Sequence, residues 1–265
     1  MNQQFLTELK AVTAENRIFT DEPMKKHTTF RVGGPADILV QPKGTELASV
    51  IRLCRKYDVP YQVIGNGSNL LVGDRGIRGL VIEMLSKEDE ICVEDDCSTV
   101  GAGMLLSKTA NRAAEHGLTG MEFAAGIPGS IGGAIVMNAG AYGGEMKDIL
   151  TAVTVLDQEG NEKILSAEEL ELGYRTSCIL KKGYIVTGAK IKLKHGEETA
   201  IRAHMEELKK QRVEKQPLEY PSAGSTFKRP EGYFAGKLIQ DAGLRGFQVG
   251  GCLLYTSDAA DEEDS

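Results

Sequence analysis

The sequence predicts a protein that mixes helices and strands, with a domain boundary near residues 196–216. Three observations carry this. Between residues 37 and 84 a strand, a helix and two further strands follow one another, an order that builds mixed sheets. Residues 98–194 hold separate runs that alternate apolar and polar side chains, the mark of half-buried strands. Beyond residue 196 the composition shifts to a long charged helix and then a loop-rich segment. A chain of 265 residues can bury more than one core, so one to three domains are in reach.

Residues 37–41 read as a strand, punctuated by Pro42 and Gly44. Over 45–57, Leu47, Val50, Ile51 and Cys54 recur at helical spacing. Residues 61–64 and 79–84 are strands, with GNGSNLLVGDRG between them. Residues 98–102 form a strand and 105–116 a helix that Gly117 stops. Residues 151–157 are a strand that turns at 158–161, and Ser166 with Glu169 makes a capping box that predicts a short helix. Residues 184–194 alternate as one long strand. Residues 199–216 are a helix with Ile201, Met205, Leu208 and Arg212 on one face, ended by Pro217; a short helix comes next, around 237–242.

Charge and cysteine usage exclude several functions. Of the net charge of −7, five units come from Asp258, Asp261, Glu262, Glu263 and Asp264, so the body of the chain is nearly balanced. Nothing in it favours nucleic acid or an anionic membrane. The N-terminus has no signal-peptide core and no apolar run is long enough to span a bilayer, which predicts a cytoplasmic protein. Five cysteines without a CxxC pair read as free thiols, and the four scattered histidines give no metal pattern.

Two glycine-rich stretches carry the chemistry. Residues 126–144, GIPGSIGGAIVMNAGAYGG, hold seven glycines and no charge. Glycine is entropically costly to order, so such density marks either tight turns or backbone that approaches a flat or phosphorylated ligand. Residues 65–71, GNGSNLL, come directly after a strand and offer successive N–H groups with Ser68 and Asn69 as side-chain donors. This is either a plain turn or a phosphate cradle. It lacks the third glycine of a dinucleotide fingerprint, and no Gly-Lys-Ser/Thr of a Walker loop occurs.

Five motifs occur in order: HTTFRVGGPAD at 27–37, VIGNGSNLLV at 63–72, FAAGIPGSIGGAIVMNAGAYGGE at 123–145, YRTS at 174–177 and AGSTFKRPEGYFAGKLIQDAGLRG at 223–246. In this the chain resembles the UDP-N-acetylenolpyruvoylglucosamine reductases of bacterial peptidoglycan synthesis, over about residues 17–251. The form without an inserted loop after YRTS is the closer match. The resemblance implies an α+β protein of the vanillyl-alcohol-oxidase (PCMH-type) FAD-binding fold: two α+β subdomains at 1–84 and 85–198, then a linker helix and partial α+β substrate domain at 199–251. FAD would lie on Gly65, Asn66, Gly67, Ser68, Asn69 and Leu70 and on Gly126, Ile127, Pro128, Gly129, Ser130, Gly132 and Gly133. Asn138, Ala139, Gly140, Ala141 and Ile185 complete that cofactor set. NADPH would supply the hydride, and a UDP-sugar enolpyruvyl ether would be the small-molecule substrate.

The resemblance also assigns roles. Arg175 is similar to the family's catalytic arginine, and a guanidinium suits a carboxylate with growing charge beside it. Ser225 is similar to the proton donor. Arg229 and Lys237 are bases that could meet the UDP diphosphate. The resemblance stops after Gly251, where CLLYTSDAADEEDS replaces the family's continuation and its glutamate; residues 252–265 are expected to be a non-native acidic tail and turnover to be impaired. Residues such as Phe234, Leu238 and Ile239 would then be exposed. The oligomeric state is left open, with a monomer sufficient.

Overall fold

The computed structural model describes residues 3–85, 91–216 and 218–253. Its first unit holds α1 (Gln3–Val12), β1 (Ile18–Pro23), β2 (Pro35–Val40), α2 (Glu46–Lys56), β3 (Tyr61–Ile64) and β4 (Ile77–Glu83). The sheet order is β1-β2-β4-β3, with β1 antiparallel to β2 and the other three parallel. Parallel pairing requires a crossover, and α2 supplies it. Period-2 alternation splits the sheet's side chains. Ile38, Val40, Leu80 and Ile82 meet Phe5 and Leu9 of α1 and Leu47, Val50 and Ile51 of α2. Leu39 and Val81 pack on the opposite face with Met24, Ile64 and Val72, joined by Ala36, which a register shift between residues 36 and 38 turns to that side.

The second unit holds β5 (Ile91–Glu94), β6 (Cys97–Gly101), α3 (Leu106–Glu115), β7 (Leu118–Thr119), α4 (Ile131–Met137), β8 (Gly140–Ala141) and β9 (Gly144–Glu145). It continues with β10 (Leu150–Leu156), β11 (Glu162–Ser166), α5 (Cys178–Lys182), β12 (Ile185–Lys192) and β13 (Lys194–His195). Five of these strands form an antiparallel sheet, β11-β10-β12-β6-β5. Val153, Val155, Val186, Ala189 and Ile191 project from it into one core with residues of α3, α4 and α5. Leu156 and Ile185, paired across β10 and β12, enter the core of the first unit instead. This joins the two sheets.

The chain then runs into α6 (Glu198–Lys215), α7 (Ala235–Asp241), β14 (Gln248–Val249) and β15 (Cys252–Leu253). Ile201 and Leu208 of α6 are buried against the second unit, beside α3 and residues 122–124. Around α7 the cover is thinner. Phe234 and Ile239 are half-buried, while Leu238, Leu244, Phe247 and Val249 are exposed.

Two expectations are corrected. The Ser166–Glu169 capping box does form, with Ser166 N donating to Glu169 Oε2 at 2.8 Å and Glu169 N to Ser166 Oγ at 3.4 Å. It closes a turn rather than opening a helix, because Glu171 takes φ +50° and ends the coil after one turn. The strand expected over 184–194 stops at Lys192, and Lys194–His195 pairs with β7 in a separate ribbon. Pro217 and the tail beyond residue 253 lie outside the described residues.

Candidate functional site

The candidate site lies where the turn after β3 meets the loop before α4. A Cβ on Gly65 would collide with Ser130 Oγ, so only glycine lets the two loops touch. Asn66 Nδ2 donates to Pro128 O at 2.7 Å and ties them together. Gly67 has φ +61° and presses against the main-chain carbonyl of His27, where a Cβ would also collide. Ser68 Oγ lies 3.8 Å from the Cβ position of Gly129. Leu70 packs on the first unit's smaller core and Ile127 on the core of the second.

Residues 126–145 combine close backbone approaches with internal turns. Ser130 caps α4 by accepting from Gly133 N at 3.4 Å. Ile131 N and Gly132 N donate to Met104 O and Ala102 O, both at 2.8 Å, and a Cβ on Gly132 would sit 3.1 Å from that of Ala102. Asn138 ends α4 in the left-handed region at φ +43°. Its side chain is fully used: Nδ2 donates to Glu145 Oε2 at 2.7 Å and Oδ1 accepts from Lys147 N at 2.9 Å. Ala139 O accepts from Met146 N, and Gly140–Ala141 pairs with Gly144–Glu145 across a two-residue turn in which Tyr142 and Gly143 both have positive φ. That is the hairpin geometry that favours glycine. The glycine-rich stretch is therefore part turn and part close approach.

Arg175 sits at the tip of a tight turn. Gly173 and Thr176 exchange both backbone hydrogen bonds at 3.1 Å, and Arg175 takes φ +53°. Ser177 anchors this turn: its Oγ donates to Val136 O of α4 at 2.8 Å and caps α5 through Ile179 N. The segment bearing Ser225 comes to meet the turn. Arg229 N donates to Tyr174 Oη at 3.1 Å, and the Cβ position of Gly224 lies 3.7 Å from Ser68 O. Ser225 Oγ donates to Phe227 O at 3.1 Å, and the residue is half-buried. The Arg229 guanidinium stacks 4.3 Å from the centre of the Phe234 ring. Lys237 pairs with Asp241 at 2.7 Å on the open face of α7.

Two side chains take positions that the sequence left open. Ile185 is a core residue at 5% exposure, set between the two sheets. Arg212, which the sequence put on the apolar stripe of α6, lays its guanidinium against Gly126, with Nη1 3.4 Å from the Cβ position there. Burial pushes its pKa below the ordinary guanidinium value, partly offset by Tyr142. A base on an otherwise apolar helix stripe was the available signal. Ser177 and Tyr174 gave none beyond their place in YRTS.

The donor set fits a flavin dinucleotide. A diphosphate needs convergent N–H groups, and a flat ring needs backbone without side chains. Among the described residues no backbone N–H from Asn66 to Leu70 donates to a protein acceptor. The first N–H groups of α4 are already taken, whereas those of the 65–70 turn are the ones that could meet a diphosphate.

Residues 36–166 match the FAD binding domain family, and residues 216–260 match the C-terminal domain of UDP-N-acetylenolpyruvoylglucosamine reductase, running past Gly251. The UDP-N-acetylenolpyruvoylglucosamine reductase of Agathobacter rectalis is 54% identical over 262 residues, spanning 94% of this chain and 83% of that protein. That of Clostridium perfringens is 54% identical over 257 residues, spanning 96% and 84%. The solved UDP-N-acetylenolpyruvylglucosamine reductase of Thermus caldophilus superposes with a TM-score of 0.76 at 41% identity, covering 88% of this chain and 83% of that one. Substrate-bound p-cresol methylhydroxylase shares the fold at a TM-score of 0.56 and 15% identity, over 74% of this chain and 44% of its own. With two sheets of that flavoprotein fold and relatives of this identity along nearly its whole length, the chain belongs to the family of FAD-binding UDP-N-acetylenolpyruvoylglucosamine reductases.

Proposed function

We propose that this chain reduces UDP-N-acetylglucosamine enolpyruvate to UDP-N-acetylmuramate, a step of peptidoglycan precursor synthesis, with electrons from NADPH. The observation that supports it best is the Tyr174–Arg229 hydrogen bond, which draws the Arg175 turn and the Ser225 segment towards the glycine-lined site. FAD bound across the 65–70 turn and the 126–133 loop supplies hydride chemistry that no side chain can. The residues do the rest. Hydride addition to the methylene carbon leaves enolate-like charge beside the substrate carboxylate. The Arg175 guanidinium holds that carboxylate bidentately and stabilises the charge as it grows. The Ser225 hydroxyl then gives its proton to the neighbouring carbon, so that one hydride and one proton together saturate the double bond. Arg229, and Lys237 once released from Asp241, face the substrate's diphosphate. Arg212 offers positive charge to the site at Gly126.

The test is spectroscopic. NADPH should bleach the flavin band of the loaded protein without oxygen, and the enolpyruvyl substrate should restore it. Ser225→Ala and Arg175→Ala should leave bleaching intact and slow restoration by about 10²–10⁴-fold; unchanged restoration in either removes its assigned role. A second reading, flavin binding with weak turnover, is favoured by the exposed apolar residues around α7. It predicts bleaching without restoration in the unsubstituted chain.

A further inference from the structure

We propose that His27 and Thr29 form a positioning strut between the cofactor turn and the serine segment, and that FAD affinity depends on the His27 ring carrying its proton. The proposal rests on the FAD reading of the 65–70 turn. His27 is wedged between two carboxylates: Nδ1 lies 2.9 Å from Glu83 Oε1 and Nε2 lies 3.1 Å from Glu22 Oε1. A neutral imidazole has one donor and one acceptor, whereas an ionised carboxylate only accepts. Both bonds therefore exist together only when both ring nitrogens carry hydrogen.

The surroundings hold that state. The side chains of His27, Glu22 and Glu83 are 13%, 15% and 6% exposed, so the charges are shielded from solvent. Gln41 Nε2 donates to the second oxygen of Glu83 at 2.5 Å, and Lys26 Nζ meets Glu22 at 3.1 Å. Glu83 raises the His27 pKa, burial opposes it, and Glu22 adds to the rise. The bridge is thus complete below the ordinary histidine range and is lost as pH rises through the raised value.

The strut touches both halves of the site. The main-chain carbonyl of His27 fills the space a Cβ on Gly67 would need, and Thr29 N donates to Gly67 O at 3.3 Å. Glu83 is the β4 partner of Ile64, the residue before Gly65. On the other side, Thr29 Oγ1 donates to Ser222 O at 2.5 Å, three residues before Ser225. Loss of the His27 proton frees one carboxylate directly beneath the turn.

The experiment measures FAD affinity of the whole chain by flavin fluorescence from about pH 6 to about pH 9, with the His27 imidazole followed by NMR in free and loaded protein. The expected result is FAD binding at least about fivefold weaker above the transition, and a His27 ring that titrates at higher pH when FAD is bound. His27→Gln should remove the pH dependence. Glu22→Gln, which keeps the Glu83 bond, should move the transition to lower pH, and it serves if His27→Gln does not fold. Thr29→Val should keep affinity and pH dependence but slow substrate-driven reoxidation of the flavin. Flat affinity in the unsubstituted chain, an unchanged slope in His27→Gln, or identical imidazole titration with and without FAD overturns the cofactor half. Unchanged reoxidation in Thr29→Val overturns the serine half. A chain that takes up no FAD at any pH overturns both the proposal and the reading beneath it.

Discussion

Asn138 shows how one side chain holds the glycine-rich stretch in shape. It is 4% exposed, left-handed, and has its side-chain amide bonded at both ends. Asn138→Gly keeps the backbone conformation and loses two buried hydrogen bonds, which should cost about 1–3 kcal/mol. Asn138→Ala should cost about 1 kcal/mol more, because a Cβ is strained in that region. Urea midpoints of the two variants check the order. Gly65→Ala makes the opposite case. The added methyl meets Ser130 Oγ at the contact between the loops, so FAD binding should weaken roughly tenfold or more while the fold persists. A fluorescence titration reads that directly. Electrostatics adds a third outcome. Arg17 donates to both carboxylate oxygens of Glu46, at 2.8 and 2.7 Å, and this bonding holds the Glu46 pKa below the usual 4.5 despite partial burial. The pair's contribution is full above the ordinary carboxylate range and is lost as pH falls through the depressed value. Glu46→Gln should therefore flatten the acid limb of stability against pH, measured from denaturant midpoints.

Elements were legible wherever local pattern and packing agreed. Leu47, Val50, Ile51 and Cys54 line one face of α2 at helical spacing, and the same residues are buried. Gly117 stops α3 as expected, at φ +65°. The elements without a sequence signal share a physical reason: they bury little of their own surface. β11 buries only Leu165 among its five residues, so it shows no alternation. β1 carries Asp21, Glu22 and Pro23 at the sheet edge, where proline and charge are tolerated. In α1 only Phe5 and Leu9 are buried, an i, i+4 pair that was present but brief. The site was legible in the same uneven way. The glycines that permit close approach announced themselves, whereas Ser177, Tyr174 and Thr29 act through hydrogen bonds to distant backbone, which no local pattern encodes. α6 is an intermediate case, a mostly polar helix held by few apolar anchors. Ile201→Ala should cost about 2–4 kcal/mol, since this buried side chain is one of those anchors. Near-full retention of stability, read by calorimetry, would show that α6 is held mainly through residues 218–253.

At the scale of the whole molecule the two sheets are joined through a shared core rather than merely in contact. Leu156 and Ile185 belong to the second sheet by pairing and to the first unit's core by packing. Arg52 Nη2 adds a bond to Gly160 O at 2.8 Å, beside the β10–β11 turn, and Arg55 pairs with Glu159 in that turn. The loop contact at the candidate site depends on this union, because Gly65 comes from one unit and Ser130 from the other. If the units opened independently, this contact would open at the cost of the weaker unit alone. With a common core, the opening cost approaches that of global unfolding. Hydrogen exchange should accordingly give the central strands β4 and β12 the same limiting opening free energy in the chain without FAD. Ile185→Ala should lower both together, by about 2–4 kcal/mol. Loss of protection in β4 alone would mean that the first unit opens by itself and that Ile185 packs at an interface rather than within one core.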